Sequence, residues 1–343
     1  MRSVPVLIVL SLCGLLAAPA SAHALQPVRV IVFPGGFNWP IWAAQHEGYF
    51  SDEGIAVDVT PTPSSAYQMT NLISGKYDIA MTAFDNVVAY DSGQGAAKVS
   101  GTHDLFAFMG GDDGFLSIVV PDRIRTFADL KGGVLAVDAL TTGYAFVLEQ
   151  MLADHGLSRG EYRLESAGGV LERWKALLAG RFSGTLLVTP FDILSQAHGF
   201  HPLGYAIDDL RHYQGVVGAT RRAWAAQHRR ELAGYIRAYR RGLAWLYNRA
   251  HREDALRVLE THVPNMTPGL AEKSYSVLLG HTGGFSRTAK LDLPGIREVI
   301  RLRLRYGVQS KALENPANFY DGSYYDAASA GMVKPVQVAG GNR

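Results

Sequence analysis

The chain has 343 residues, of which 48% are hydrophobic and 19% are charged, as in an ordinary globular protein with a full core. This length suggests two domains, since a domain usually has about 100–200 residues. Lys and Arg number 33 against 31 Asp and Glu, a balance that gives no electrostatic case for nucleic-acid binding.

The N-terminus has the pattern of a secretory signal. Arg2 precedes an apolar run at residues 4–18, and small residues in an A-x-A pattern follow that run. We predict that residues 1–24 are a signal peptide, cleaved after Ala22 or Ala24. The alternative, an uncleaved anchor, is less favoured because the run is shorter than the roughly 20 residues of a membrane span. The only cysteine, Cys13, lies inside the run, so the mature chain would lack disulfides and thiolate chemistry.

Strand-like and helix-like patterns then alternate. Strands are predicted at residues 28–33, 55–60, 78–82, 106–109, 115–120, 134–137, 162–166, 184–188 and 202–205. Between two of them, a helix at residues 170–179 is expected to bury Leu171, Trp174, Leu177 and Leu178. This alternation favours an α/β fold with mostly parallel sheets.

From residue 220 the pattern becomes helical. One long helix is predicted at residues 222–249, with Leu232, Ile236, Tyr239, Leu243 and Leu246 as its buried stripe. Arginines on its opposite face are interpreted as a solvated surface rather than a nucleic-acid site. Further helices are predicted at residues 254–262, 268–279 and 295–306. Residues 331–343 are rich in Gly and Pro, and are predicted to form a loose tail.

Two glycine-rich stretches, at residues 110–114 and 213–218, suit a hinge between two α/β blocks. Motifs of catalysis or phosphate binding are missing: we find no G-x-S-x-G, no P-loop, no dinucleotide-binding G-x-G-x-x-G and no H-E-x-x-H. We therefore predict a protein that is not an enzyme and has no cofactor or metal.

Four predicted loops follow the carboxyl ends of strands, where open α/β sheets bind ligands. Each loop combines an aromatic side chain with short hydrogen-bonding groups, which is the usual lining of a small-molecule site. The candidate ligand-binding residues are Phe37, Asn38, Trp39, Phe84, Asp85, Asn86, Thr141, Thr142, Gly143, Tyr144, Pro190, Phe191 and Asp192, with Tyr213 at the second glycine-rich stretch. The alternative is structural: Asn38, Asp85 and Asp192 could be helix caps, and Trp39 and Phe191 could be core residues.

The loop "LTTGY" begins a helix, and its role decides the ligand chemistry. We expect Thr141 to cap the helix, while Thr142 and the N–H groups of Gly143 and Tyr144 face the solute. No Arg or Lys lies within the four loops, so a doubly charged anion is disfavoured. A monoanion held by these donors remains open. So does a neutral or cationic heterocycle that stacks on Trp39 or Phe191 and bonds to a carboxylate.

The stretches "WPIWAAQHEGYFSDEGIAVDV", "LISGKYDIAMTAFDNVVAY", "FADLKGGVLAVDALTTGYAFVLEQML", "WKALLAGRFSGTLLVTPFD" and "FYDGSYYD" resemble ABC-transporter solute-binding proteins. Among these solute-binding proteins, the chain resembles the nitrate/sulfonate/taurine type, whose superfamily also includes binders of thiamine-pyrimidine precursors. The resemblance implies a two-lobed type II periplasmic binding protein, with lobe 1 at residues 25–111 plus 216–330 and lobe 2 at 112–215. It also implies a protein of the periplasm that closes around a small solute and delivers it to an inner-membrane permease driven by a cytoplasmic ATPase. We predict that the protein is a monomer.

Two other functions stay open at this point. A binding protein of this kind could instead dock on a receptor kinase or chemoreceptor and serve in sensing. The family resembled also includes pyrimidine synthases, but export and a cysteine-free mature chain argue against such an enzyme.

Overall fold

The structure is a computed structural model that describes residues 24–100, 104–280, 284–308 and 311–330. The predicted signal peptide as far as residue 23 and the predicted tail at residues 331–343 lie outside the described residues. Within the described part of the chain, no helix is both long and apolar enough to cross a membrane.

Ten strands are described. They are β1 (Gln26–Val32), β2 (Ile55–Pro61), β3 (Ile79–Ala83), β4 (Leu105–Gly110), β5 (Leu116–Pro121), β6 (Val134–Val137), β7 (Arg163–Ser166), β8 (Gly184–Val188), β9 (Phe200–Tyr205) and β10 (Val216–Arg221). All nine predicted strands are present, with ends that differ by up to two residues. The tenth, β10, was missed, because its sequence "VVGATR" was interpreted as part of a glycine-rich crossing.

Fourteen α-helices are described. They are α1 (Trp39–His46), α2 (Tyr49–Asp52), α3 (Ser65–Ile73), α4 (Phe84–Asp91), α5 (Gly143–Asp154), α6 (Val170–Leu178), α7 (Phe191–Gln196), α8 (Ala206–Asp209), α9 (Arg222–Gln227), α10 (Arg229–Tyr247), α11 (Arg252–His262), α12 (Pro268–Leu278), α13 (Leu293–Tyr306) and α14 (Ser323–Ala330). Short 3₁₀ helices occur at Gly36–Asn38, Phe127–Leu130, Arg249–His251, Lys311–Glu314 and Pro316–Phe319.

The strands form two separate five-stranded sheets of the same design. The first has the order β2-β1-β3-β10-β4 and the second β7-β6-β8-β5-β9. In each sheet the first three strands run parallel, and the fourth is antiparallel to both of its neighbours. That antiparallel strand is the first one after the chain has crossed from the other sheet. The predicted α/β, two-lobed architecture with mostly parallel sheets is confirmed.

The strands differ in burial. The interior strands β3, β5 and β8 are buried along their whole length. So is β4 at the edge of the first sheet, where Ala107 forms a bridge to Tyr320. The edge strands β2 and β7 are partly exposed. Strands that are covered on both faces are mostly apolar rather than alternating.

The two crossings pack directly on each other. The buried carboxylate of Asp112 accepts hydrogen bonds from the N–H groups of Gly114 (2.8 Å) and Val216 (3.2 Å). Gly215 leaves room for that carboxylate, because a Cβ at this position would overlap Asp112 Oδ1. Burial raises the pKa of Asp112 to about 7, although these hydrogen bonds oppose the shift.

The helical block differs from the prediction in two respects. The single helix predicted at residues 222–249 is broken at His228, whose φ of −123° and ψ of 41° are not helical. The buried stripe of α10 is confirmed at all five positions. Its basic face, however, is not freely solvated: Arg237 pairs with Glu53 at 2.6 Å and Arg241 with Asp52 at 2.8 Å. These pairs attach α10 to the α2 region of lobe 1.

Candidate functional site

A cavity lies between the two lobes, where α4 and α5 begin. About 40 Å³ of it is open to the centre of a water-sized sphere, enough for a few small groups. It is lined by Phe33, Phe37, Ala83, Asn86 and Val216 from lobe 1, and by Asp138, Thr142, Gly143, Tyr144, Val170, Arg173 and Val188 from lobe 2. Five of the predicted site residues are among them: Phe37, Asn86, Thr142, Gly143 and Tyr144.

The start of α5 presents donors to this cavity. Thr142, not Thr141, is the capping residue: its backbone is extended, and its hydroxyl donates to the carbonyl of Ala139 at 2.8 Å. The expectation that Thr141 caps the helix is therefore wrong. Gly143 and Tyr144 follow in the first turn, where N–H groups have no acceptor within the helix. Burial raises the pKa of Tyr144 far above its usual range, so its hydroxyl stays protonated.

Arg173 on α6 lines the cavity and was not among the predicted site residues. Its side chain is only 4% exposed. The guanidinium donates to two carbonyls, of Gly168 at 2.9 Å and Leu186 at 3.3 Å. Within the described residues, no carboxylate approaches it closely enough to form an ion pair. Burial lowers its pKa, and the charge of Asp138 opposes that change.

The buried face of α6 explains why it was missed. We predicted that Leu171, Trp174, Leu177 and Leu178 point inward, but the buried residues are Val170, Arg173, Ala176 and Leu177. The helix is therefore rotated by about one residue relative to the prediction. The sequence does carry a signal for the inward position of Arg173, because this arginine shares a helical face with the apolar residues Val170 and Leu177.

Asp85 does not offer a free carboxylate, contrary to expectation. Arg303 of α13 forms a two-pronged ion pair with it, with Nε at 2.6 Å from Oδ1 and Nη2 on Oδ2. Both side chains are buried, at 0% and 1% exposure. The same guanidinium also donates to the carbonyl of Thr141 in lobe 2, at 2.9 Å. Asp85 therefore belongs to a buried polar cluster next to the cavity.

Asp192 is also engaged within its own lobe. Its carboxylate accepts from the N–H of Ile193 at 2.8 Å and contacts the hydroxyls of Thr189 and Ser117 at 3.3 and 3.4 Å. Burial raises the pKa of Asp192 to about 6. A carboxylate held in this way positions the β8–α7 turn, and it does not line the cavity.

The remaining predicted residues take four other places. Trp39 and Phe84 are fully buried in the core, and the indole N–H of Trp39 donates to Ala255 O at 3.1 Å. Asn38 and Phe191 line a separate groove, and Pro190 lies at the start of α7. Tyr213 packs at the crossings, with its ring 6.2 Å from that of Tyr144. In the described structure its buried hydroxyl has no hydrogen-bond partner.

Backbone contacts join the lobes around the cavity. Gly36 N–H of lobe 1 donates to Thr189 O of lobe 2 at 3.1 Å, and Gly169 N–H of lobe 2 donates to Pro63 O at 2.7 Å. The N–H of Ser65 donates to the carboxylate of Asp138 at 2.9 Å. These three hydrogen bonds hold the two lobes together beside the cavity. Within the described ranges, no cluster of three or more His, Cys, Asp or Glu residues could hold a metal ion.

Several solved structures with the same fold are described as solute-binding proteins. The nitrate-binding protein NrtA from Synechocystis PCC 6803 is 10% identical and has a TM-score of 0.75, with 91% of this chain and 90% of that chain covered. The alkanesulfonate-binding protein SsuA from Xanthomonas axonopodis pv. citri, bound to MOPS, is 15% identical and has a TM-score of 0.70, with 88% and 100% covered. A ligand-binding component of an ABC-type import system from Staphylococcus aureus, with zinc bound, is 14% identical and has a TM-score of 0.71, with 88% and 99% covered. At sequence identities of 10%, 14% and 15%, these comparisons are evidence for the fold alone.

A search of curated proteins found no match to the sequence. Residues 38–252, more than half of the chain, match the family described as NMT1/THI5 like. The matched structures include a periplasmic nitrate-binding protein and an alkanesulfonate-binding protein, so the predicted resemblance is confirmed. The chain belongs to the NMT1/THI5-like family.

Proposed function

We propose that this protein is the periplasmic solute-binding component of an ABC importer, and that its solute is a small monoanion such as a carboxylate or sulfonate. The observation that carries the anionic solute is Arg173, a buried guanidinium in the interlobe cavity with no ion-pair partner among the described residues. The transport role follows the family and the fold shared with import-system proteins.

The energetics of burial support an anion. The carboxylates of Asp138 and Glu172 act on Arg173 only from beyond ion-pair distance. Burial of a charge without a close partner is costly, and two carbonyl acceptors offset only part of that cost. An anion in the cavity would complete the charge balance of Arg173. The hydroxyl of Tyr144 and the first N–H groups of α5 would supply further donors, aided by the partial positive charge of a helix N-terminus.

The small volume limits the solute. A space of about 40 Å³ for water-sized centres suits an acid group with a short substituent. The apolar side chains of Phe33, Phe37 and Val170 would surround that substituent. Asp138 disfavours a doubly charged anion, since its carboxylate lines the same cavity.

Closure of the lobes would couple binding to delivery. Hydrogen bonds of Gly36 with Thr189 and of Gly169 with Pro63 join the two lobes, and separation of the lobes would break them. A solute that touches Arg173 in one lobe and Asn86 in the other would therefore shift the population towards the closed state. A permease could then recognise the closed form.

Arg173→Met tests the proposal, with Arg163→Met as its matched control on an exposed position of the same lobe. Purified mature protein would be titrated calorimetrically with acetate, methanesulfonate and nitrate. Truncating one partner of a buried charge pair costs about 2 kcal/mol or more, so affinity should fall at least about 30-fold in Arg173→Met. The control should bind as the wild type does.

Two outcomes would contradict the proposal. If the wild-type protein binds none of a broad set of small monoanions, the proposed anion site does not exist. Anion binding that survives Arg173→Met would place the site elsewhere. For the transport role, neighbouring genes for a permease and an ATPase are expected, and a neighbouring receptor kinase would favour sensing.

A further inference from the structure

Helix α13 packs on both lobes. It begins at the second crossing, where the N–H of Asp292 donates to Gln214 Oε1 at 2.8 Å. Gly295 lies so close to this crossing that a Cβ would overlap the backbone nitrogen of Gln214. Further along, α13 contacts α4 of lobe 1 and α5 of lobe 2. A motion that moves α4 away from α5 would therefore part α13 from one of these two helices.

The attachment of α13 to lobe 1 is the stronger one. Arg303 forms the buried two-pronged ion pair with Asp85 at the start of α4, and it donates to Gln94 Oε1 at 3.1 Å. Hydrogen bonds between charged groups are about twice as strong as those between neutral groups. Helix α13 should therefore stay with lobe 1 when the lobes separate, and its contacts with α5 should break.

Gln150 of α5 receives two hydrogen bonds from α13. Its Oε1 accepts from Arg305 Nη1 and from the hydroxyl of Tyr306, both at 3.2 Å. Its amide nitrogen donates to Asp154 Oδ1 at 2.7 Å. Because a guanidinium can only donate and a carboxylate only accept, this orientation of the amide is fixed. Gln150 is 4% exposed, and it is outside the set of described residues that line the Arg173 cavity.

Tyr306, the last residue of α13, meets lobe 2 in two further ways. Its carbonyl accepts from Arg159 Nη2 at 3.1 Å, and the same guanidinium lies 5.0 Å from the centre of its ring. A cation at this position offsets the partial negative charge of a helix C-terminus. Arg159 is itself paired with Glu149 of α5 at 2.6 Å. The ring of Tyr306 also stacks on Phe146 of α5, with centroids 6.3 Å apart.

We propose that Gln150 and Arg159 of lobe 2, with Arg305 and Tyr306 of lobe 1, form a clasp that populates the closed state even without solute. The clasp thereby contributes to solute affinity from outside the cavity, because apparent affinity increases with the fraction of molecules that are competent to bind. This consequence for affinity rests on the proposed function, whereas the closed state of the ligand-free protein does not.

Tyr306→Phe tests the clasp with the smallest change. It removes only the hydroxyl that donates to Gln150, so the ratio of open to closed molecules should rise about fivefold, as the loss of one hydrogen bond predicts. Tyr247→Phe is the matched control. It removes a hydroxyl that donates to Phe285 O at 3.0 Å within lobe 1, and it should leave the ratio unchanged.

Gln150→Leu is the stronger variant, because it removes the acceptor of two hydrogen bonds between the lobes. The ratio of open to closed molecules should rise at least about tenfold. On the proposed function, methanesulfonate should also bind this variant more weakly than it binds wild-type protein. The melting temperature of each variant shows that it is folded.

Distances between pairs of spin labels on ligand-free mature protein measure the ratio. Ala56 in β2 and Lys175 in α6 are exposed, and their elements line opposite sides of one groove between the lobes. Labels are attached to introduced cysteines, since the only cysteine of the chain, Cys13, lies in the predicted signal peptide. A label at Arg297, exposed on α13, should keep its distance to residue 56 in open molecules and change its distance to residue 175.

Any of three results would overturn the clasp. They are a ligand-free wild-type protein with no closed component, equal ratios in Gln150→Leu and wild type, and a distance from residue 297 to residue 56 that changes on opening. The last result would place α13 with lobe 2. Because these distances are measured without solute, they test the clasp even if the anion site fails. Titration of Arg173→Met likewise tests the anion site even if the clasp fails.

Discussion

At the scale of single residues, two buried arginines have opposite roles. Arg303 is fully paired: Asp85 takes two of its nitrogens, and Gln94 Oε1 and Thr141 O accept from the same guanidinium at 3.1 and 2.9 Å. Arg173 makes hydrogen bonds to carbonyls only. The first arrangement suits structure, since its charge is already balanced. The second leaves the guanidinium without an ion pair among the described residues, which is the arrangement that the proposed anion site requires.

Removing Arg303 should therefore cost much more stability than removing an exposed arginine on the same helix. Arg303→Met leaves Asp85 buried without its partner, and we expect a loss of about 3–5 kcal/mol in the free energy of unfolding. Arg301→Met breaks an exposed pair with Glu298 and should cost less than about 1 kcal/mol. Urea denaturation measures both. Equal losses would show that the buried pair does not stabilise the fold as its geometry indicates.

At the scale of elements, the start of α5 approaches α4 closely enough that only glycine fits at Gly143. A Cβ there would overlap Cβ of Asp85 in the other lobe. Gly143 has no unusual backbone angle to satisfy, so its small size serves the approach of the two lobes.

Gly143→Ala should therefore impair closure while leaving each lobe folded. Alanine favours helix over glycine by about 1 kcal/mol, so the helix itself should tolerate the change. We expect the affinity for the small monoanion to fall about tenfold or more, with little change in the melting temperature of the ligand-free protein. Gly269→Ala in α12 is the control, because a Cβ there meets nothing within 4 Å. Wild-type affinity in Gly143→Ala would mean that binding does not require this contact.

The alternation of strands and helices was predictable because it depends on the local spacing of apolar residues along the chain. Nine strands and the buried stripe of α10 follow from apolar spacing along the chain. Strand β10 was not predictable in this way, since its pairing with β3 and β4 joins segments more than 100 residues apart. The break at His228 was also missed, because the apolar spacing continues across it.

The candidate site was predictable only in part, for a similar reason. The start of α5, which belongs to one of the predicted loops at strand ends, lines the cavity. Asp85 and Arg303 are 218 positions apart in sequence, so their pairing has no local signal. Arg173 lies in a helix rather than a loop, and a rotation of that helix by one residue moved it from the predicted surface to the cavity.

At the scale of the whole molecule, the two crossings meet around a buried carboxylate, where the lobes are joined. Asp112 Oδ1 accepts from Gly114 and Val216, one residue in each crossing region, and Gly215 N–H donates to the Asp112 carbonyl at 3.2 Å. Tyr144 and Tyr213 lie close enough for the charge of Asp112 to raise their pKa values further. Any change in the charge of Asp112 therefore acts where the lobes are joined.

Asp112 should make the stability of the protein fall as the pH rises. Its pKa is raised by burial from 3.8 to about 7, so between these values the folded protein keeps a proton that the unfolded chain has lost. Unfolding then releases that proton, and the free energy of unfolding decreases with pH until it levels off above about 7.

In Asp112→Asn, the amide oxygen can keep both backbone hydrogen bonds without a charge. The stability of this variant minus that of the wild type should be small near pH 4 and rise to at most about 4 kcal/mol near pH 8, at 1.36 kcal/mol per pKa unit. Denaturation curves at several pH values measure this difference, which cancels shared contributions such as that of Asp192. A difference that stays flat from pH 4 to pH 8 would show that Asp112 titrates normally and that the hinge holds a charged carboxylate.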